Sequence, residues 1–229
     1  MFKKIVFTTI FIMMTYTVSP HAEEIWKITS LNWEPYSGAE MTTQGNSVQK
    51  LRELLKKEGI RLIVEFYPWK RAQYKAKKKE YVGYFPAWPE EVAEGFTASP
   101  PVDWSEVSIL KNSGSSVSFK NIDDLFKKYR VGIVKTYVYP ALITDAMKKY
   151  PEHADGAPDE LSLLKKLSKG RHSVAITDPN VMMYLAGKNG IDNVEPAEVI
   201  MKKELVLAFR NDEDNRSRID LLKKLLKEK

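Results

Sequence analysis

The stretch 25–38, IWKITSLNWEPYSG, sets the architecture of this chain. Residues 25–31 alternate in character and predict a β-strand. The strand stops in Asn32-Trp33-Glu34-Pro35-Tyr36-Ser37-Gly38, a loop punctuated by proline and glycine. Downstream, Val48, Leu51, Leu54 and Leu55 recur at helical spacing, and Gly59 closes that helix. Residues 61–66 (RLIVEF) read as a second strand. Pro68, tolerated in a first turn, opens a basic helix, and residues 81–85 form a third strand. The order β-α-β-α-β leaves each strand joined to the next through a helix, which predicts an α/β fold with a largely parallel sheet.

Working outward, residues 104–110 (WSEVSIL) alternate again as a strand, and Asn112-Ser113-Gly114-Ser115-Ser116 is a linker candidate. Asn121 is placed to cap a short helix over 122–126. A strand at 131–134, helices at 137–150 (Pro140 in its first turn) and 161–167, and a strand at 173–177 follow. Pro179 starts another helix, 204–209 (ELVLAF) is a last strand, and a charged helix runs over 215–229. Two α/β units joined near 112–116 predict two lobes. The cleft between them, at the carboxyl ends of the strands, is the expected ligand site.

Composition narrows the chemistry. A hydrophobic share of 43% in 229 residues supports a sizeable core. The formal charge of +6 is spread over helical runs such as Lys75, Lys77, Lys78 and Lys79. A nucleic-acid interface needs a clustered basic stripe with stacking groups, so none is expected. The absence of cysteine excludes disulfides, thiolate metal sites and a cysteine nucleophile. With three histidines and no HExxH, P-loop, GxSxG or EF-hand pattern, no catalytic residue, metal ion or cofactor is expected. Residues 1–22 read as a cleavable signal peptide: Lys3 and Lys4, an apolar run over 5–18, then Ser19-Pro20-His21-Ala22 before Glu23-Glu24. The apolar run is shorter than the roughly 20 residues of a membrane span. The expected location is therefore the periplasm.

Several motifs, in order, carry a family likeness. Trp33-Glu34-Pro35-Tyr36 resembles the aromatic-Pro-aromatic loop of the bacterial extracellular solute-binding proteins of the amino-acid type (family 3). Pro68-Trp69-Lys70-Arg71-Ala72 and Gly83-Tyr84-Phe85-Pro86-Ala87-Trp88 are similar to its next two motifs, and Phe96 with Ser99-Pro100 to its Phe-Ser-x-Pro segment. Val131-Gly132-Ile133, Gly170-Arg171 and Ala175-Ile176-Thr177-Asp178 resemble its second-lobe elements. The resemblance implies a two-lobed type 2 periplasmic binding fold with a hinge and an interlobe cleft. The first lobe would comprise 23–112 and 203–229, and the second 113–202. It also implies a monomer that binds a small polar molecule, an amino acid or related compound, for an ABC permease or a membrane sensor.

On this likeness Trp33, Tyr36, Trp69, Arg71, Trp88, Thr136 and Asp178 are the candidate ligand residues. Each has an ordinary structural role beside the functional one. The loop of Trp33 and Tyr36 can simply pack into the first lobe, and Trp69 and Arg71 share a first helical turn, where Arg71 can form a surface ion pair. Trp88 can cap a core, and Thr136 and Asp178 can cap helices. The family's carboxylate-binding arginine has no counterpart here, because Pro89-Glu90-Glu91-Val92-Ala93-Glu94 holds three acids and no arginine. Val82 and Ser173 stand where the family places aspartates. Some relatives on this fold are enzymes such as cyclohexadienyl dehydratases, which leaves a dehydratase-like enzyme and a protein-interaction module as alternatives.

Overall fold

The computed structural model describes residues 23–227, so the signal segment lies outside the described residues. The amino-terminal unit runs β1 (Ile25–Ser30), α1 (Asn46–Lys56), β2 (Arg61–Phe66), α2 (Trp69–Lys75), β3 (Gly83–Ala87) and β4 (Phe96–Ala98). β5 (Asp103–Asn112) leads to α3 (Ile122–Lys128), β6 (Val131–Val134), α4 (Ala141–Lys149) and β7 (Ala154–Ala157). α5 (Glu160–Ser168), β8 (Val174–Thr177), α6 (Pro179–Lys188), β9 (Val194–Arg210) and α7 (Glu213–Lys227) complete the chain.

Among the described residues nine strands form one sheet, in the order β2-β1-β3-β9-β5-β8-β6-β7, with β4 added on β9. The two crossover-connected groups are parallel as expected: β1 lies parallel to β2 and β3, and β6 parallel to β7 and β8. α1 buries Val48, Leu51, Leu54 and Leu55, which with Trp26, Ile28, Phe85 and Phe209 form one core. Leu110, Val134, Leu163, Leu164, Leu167 and Met182 form another beneath the second parallel group. At Gly83 an added Cβ would lie 1.9 Å from the Ala208 carbonyl oxygen. Glycine there lets β3 and β9 approach closely enough to pair.

Two long antiparallel strands tie the groups together. β5 pairs with β9 from Asp103↔Leu205 to Asn112↔Val194, with register shifts after Val107 and Ile109. β5 meets β8 only from Ser108 onward, and β9 meets β3 only from Val206 onward. Over 103–107 and 201–205 the connection is thus a two-stranded ribbon. A third apolar cluster, including Trp33, Tyr36, Trp88, Val107, Ile133, Tyr139 and Leu205, packs around this junction.

The differences from the expected elements have local causes. The helix expected over 137–150 starts at Ala141. Tyr139 is drawn into the interior instead, donating to the Ile176 carbonyl and accepting from Val134 N–H, each at 2.9 Å. The strand expected over 204–209 is only the end of the 17-residue β9. Its first half carries Glu195, Pro196 and Glu198, whose polarity hides the strand, and pairing with β5 holds it extended. β4 and β7 are short and lack alternation, so neighbouring strands define them.

Candidate functional site

The loop after β1 is held rigidly. Trp33 N–H donates to the Ser37 carbonyl at 2.7 Å, and the Tyr36 carbonyl accepts from Ser47 N–H at 3.0 Å at the start of α1. This places the Trp33 and Tyr36 rings in a stack, with centroids 4.6 Å apart. Trp33 meets Trp88 edge-on at 6.2 Å, and Trp88 meets Tyr137 at 5.1 Å.

Trp33, Trp88 and Tyr137 bound a cavity of about 400 Å³. One wall comes from the carboxyl ends of β1, β2 and β3: Asn32 and Trp33, Phe66 and Tyr67, Pro86 and Trp88, with Trp69 of α2 and Glu91 beside them. The opposite wall comes from the segments after β6 and β7: Thr136 and Tyr137, then Pro158, Asp159 and Glu160. Leu31 and Leu205 contribute as well. The cavity thus sits where the parallel strands of both groups end, the position at which open α/β sheets bind ligands.

Of the seven candidates, Trp33, Trp69, Trp88 and Thr136 line the cavity, and Tyr36, Arg71 and Asp178 do not. Tyr36 lies behind Trp33. Its hydroxyl donates to Asp178 Oδ2 at 3.0 Å and accepts from Asn180 Nδ2 at 2.8 Å. Asp178 is fully buried, caps α6 by accepting from Val181 N–H at 3.0 Å, and accepts from Glu106 N–H of β5 at 3.1 Å. It therefore links the first loop, the ribbon and α6. Arg71 lies with its guanidinium carbon 5.5 Å from the Tyr67 ring centroid. Replacing Tyr36 by phenylalanine is expected to lower stability by about 1–2 kcal/mol, since a buried carboxylate loses a donor and Asn180 an acceptor. Denaturant unfolding of Tyr36→Phe checks this.

Sequence reasoning did not single out Tyr137, Glu91 or Glu160 as ligand residues. Trp33 Nε1 donates to Tyr137 Oη at 2.5 Å, and Tyr137 Oη donates in turn to Glu160. Glu91 accepts from Trp69 Nε1 at 3.0 Å and from Trp88 N–H at 3.2 Å. The one trace in the sequence was the acid-rich segment 89–94, which registered as a missing arginine. Burial pushes the Glu91 carboxyl up to about 7 despite its two donors. It raises Glu160 as well and carries Asp178 to about 6. Of these, Glu91 and Glu160 line the cavity, and carboxyls shifted this way in a cleft commonly mark functional sites. Behind Trp88, Lys203 Nζ lies 2.5 Å from both Glu90 carboxylate oxygens and 5.6 Å from the ring centroid.

No family model matches the chain, and no curated protein matches it in sequence. Solved structures do. A histidine kinase sensor domain with similarity to periplasmic binding proteins superposes with a TM-score of 0.73 at 16% identity, over 90% of each chain. An ancestral arginine-binding protein bound to arginine gives 0.72 at 14% identity, over 91% of this chain and 93% of that one. An ancestral amino acid-binding protein, a precursor of cyclohexadienyl dehydratase, gives 0.67 at 15% identity, over 89% and 88%.

Proposed function

With the two-lobed fold of the periplasmic binding proteins matched over nine-tenths of the chain, we propose that this protein is an exported solute-binding protein. It captures a small polar molecule in the cleft and presents it to an ABC importer or a membrane-bound sensor. The observation that carries this reading is the aromatic-lined cavity at the carboxyl ends of both parallel strand groups. We assign the first lobe to 23–102 and 206–229 and the second to 108–200, with β5 and β9 as the connecting strands, because residues 108–111 pair with β8 of the second group; this moves the boundary expected at 112 back along β5. The ribbon over 103–107 and 201–205, with its register shift after Val107, supplies the hinge about which the lobes close on a ligand. Among the described residues no helix is long and apolar enough to cross a membrane, and the periplasmic location rests on this fold together with the signal-like residues 1–22.

The test is thermal. A ligand that binds only the folded state at about a hundredfold its Kd adds about 2.7 kcal/mol, which for a chain this long raises Tm by roughly 5–10 °C. A panel of amines, amino acids, organic acids and short peptides should contain such a compound. A panel that moves Tm nowhere at millimolar concentration counts against the reading. Glu91, with its carboxyl near neutral, favours one second reading, an enzyme using it for proton transfer. Mass spectrometry separates the two, because a binding protein returns its bound compound unchanged.

A further inference from the structure

We propose that the cavity selects an organic cation lacking a carboxylate, an amine or quaternary ammonium compound with an apolar body, held by aromatic faces and by Glu91 and Glu160. This rests on the solute-binding reading and specifies its ligand.

The first argument is charge. Among the described residues, the lining includes the carboxylates of Glu91, Asp159 and Glu160 and no lysine, arginine or histidine. The nearby cations stand outside the lining: Lys70 acts on Glu91 from a distance. Lys203 is paired with Glu90, and Arg71 and Lys75 lie over the Tyr67 ring at 5.5 and 4.6 Å. An α-carboxylate in this cavity would meet three acids and no cation in contact with it, and burying a charge without a partner is costly.

The second argument is hydrogen-bonding capacity. All three indole N–H groups at the site are already committed: Trp33 to Tyr137, Trp69 to Glu91 and Trp88 to Ser105. The Tyr137 hydroxyl proton goes to Glu160. Of the donors that could take an anion, the side chains of Thr136 and Asn32 are neutral. What remains in excess is acceptor capacity, in carboxylate lone pairs and in the faces of aromatic rings. Cations are attracted to both. The same bonds hold the carboxylates in place, so the site is preorganised for positive charge. The volume of about 400 Å³ leaves room for an apolar body against Phe66, Leu31 and Leu205.

Matched pairs that differ by a carboxylate test the idea: phenethylamine against phenylalanine, putrescine against ornithine, and choline against glycine betaine. Titration calorimetry on the purified protein is expected to show at least one amine binding about tenfold or more tighter than its carboxylated partner. Glu91→Gln and Glu160→Gln are each expected to weaken that amine by about tenfold, with far-UV circular dichroism unchanged. If the carboxylated partners bind as tightly or more tightly, the cation assignment is overturned and the solute-binding reading stands. If an amine binds but neither glutamine variant weakens it, the carboxylates are not its partners and the assignment is overturned. If no compound of any charge binds at millimolar concentration, both readings fall together.

Discussion

Replacing Trp88 by alanine is expected to lower the free energy of unfolding by about 3–5 kcal/mol, the range for truncating a large buried aromatic, and to abolish ligand-dependent stabilisation. Trp88 is only 2% exposed and stands where several structures meet. Its indole N–H donates to Ser105 Oγ of the β5–β9 ribbon at 2.9 Å, and its backbone N–H holds Glu91. Its ring packs edge-on against Trp33 and Tyr137 and faces the Lys203–Glu90 pair. Alanine removes all of these ring contacts at once and opens the cavity toward the ribbon. Trp88→Phe separates packing from hydrogen bonding: it retains most of the apolar volume and loses the bond to Ser105, a cost of about 1–2 kcal/mol. Denaturant unfolding and calorimetric titration of both variants give the comparison. An alanine variant within 1 kcal/mol of the parent would mean that Trp88 does not organise the junction.

Raising the pH from 5 to 8 is expected to remove about 3 kcal/mol of the stability supplied by two carboxyls. Asp178 titrates near 6 in the folded protein against 3.8 as its ordinary value, and Glu91 near 7 against 4.5. Between the unfolded and folded pKa values the native state binds more protons, so stability falls as pH rises through the folded pKa. Each pKa unit is worth about 1.4 kcal/mol. Between pH 5 and 8 fully buried Asp178 therefore accounts for about 1.4 kcal/mol, the one unit of its shift that lies above pH 5, and partly exposed Glu91, discounted for screening by solvent, for about 2 kcal/mol. Other groups act in the opposite sense, His172 and Glu65 among them. Burial depresses the pKa of His172, whose contribution is lost as pH falls. Glu65, held at about 2 chiefly by Lys27, loses its contribution only in strong acid. The informative quantity is thus the difference between the parent and Asp178→Asn or Glu91→Gln, in which the other groups cancel. The parent should lose stability from pH 5 to 8 relative to each variant, and a double variant with the parent's slope would refute the assignment. A bound cation reverses part of the Glu91 contribution, since it favours the ionised carboxyl.

Much of the fold was legible in the sequence because the signals are local. RLIVEF over 61–66 is a strand to the residue. The apolar spacing of Val48, Leu51, Leu54 and Leu55 appears as the buried face of α1, and Asn121 caps α3 by accepting from Asp124 N–H. The order of strands and helices is enough to demand crossover connections and parallel pairing, whatever the packing. The aromatic loop likewise announces itself, since Pro35 and Gly38 end β1 and leave Trp33 and Tyr36 on a turn.

The site was legible only in part. Trp33, Trp69, Trp88 and Thr136 follow strands or open helices, so their place at the strand ends can be read from chain order. Tyr36 and Asp178 can be read as loop and cap residues, but that they bond one another across 142 positions cannot. Glu91 and Glu160 sit in polar stretches where acids are ordinary. Tertiary structure alone brings them beneath indole and phenol donors in a partly desolvated cleft, and desolvation, a property of the surroundings, gives them their altered acidity. In the same way the extended half of β9 exists because β5 supplies its hydrogen bonds. The sequence by itself determined the parallel strand groups and the aromatic loop, through short-range periodicity and backbone stereochemistry. The charge and donor balance of the cavity depends on contacts between distant residues, and only the tertiary structure decided it.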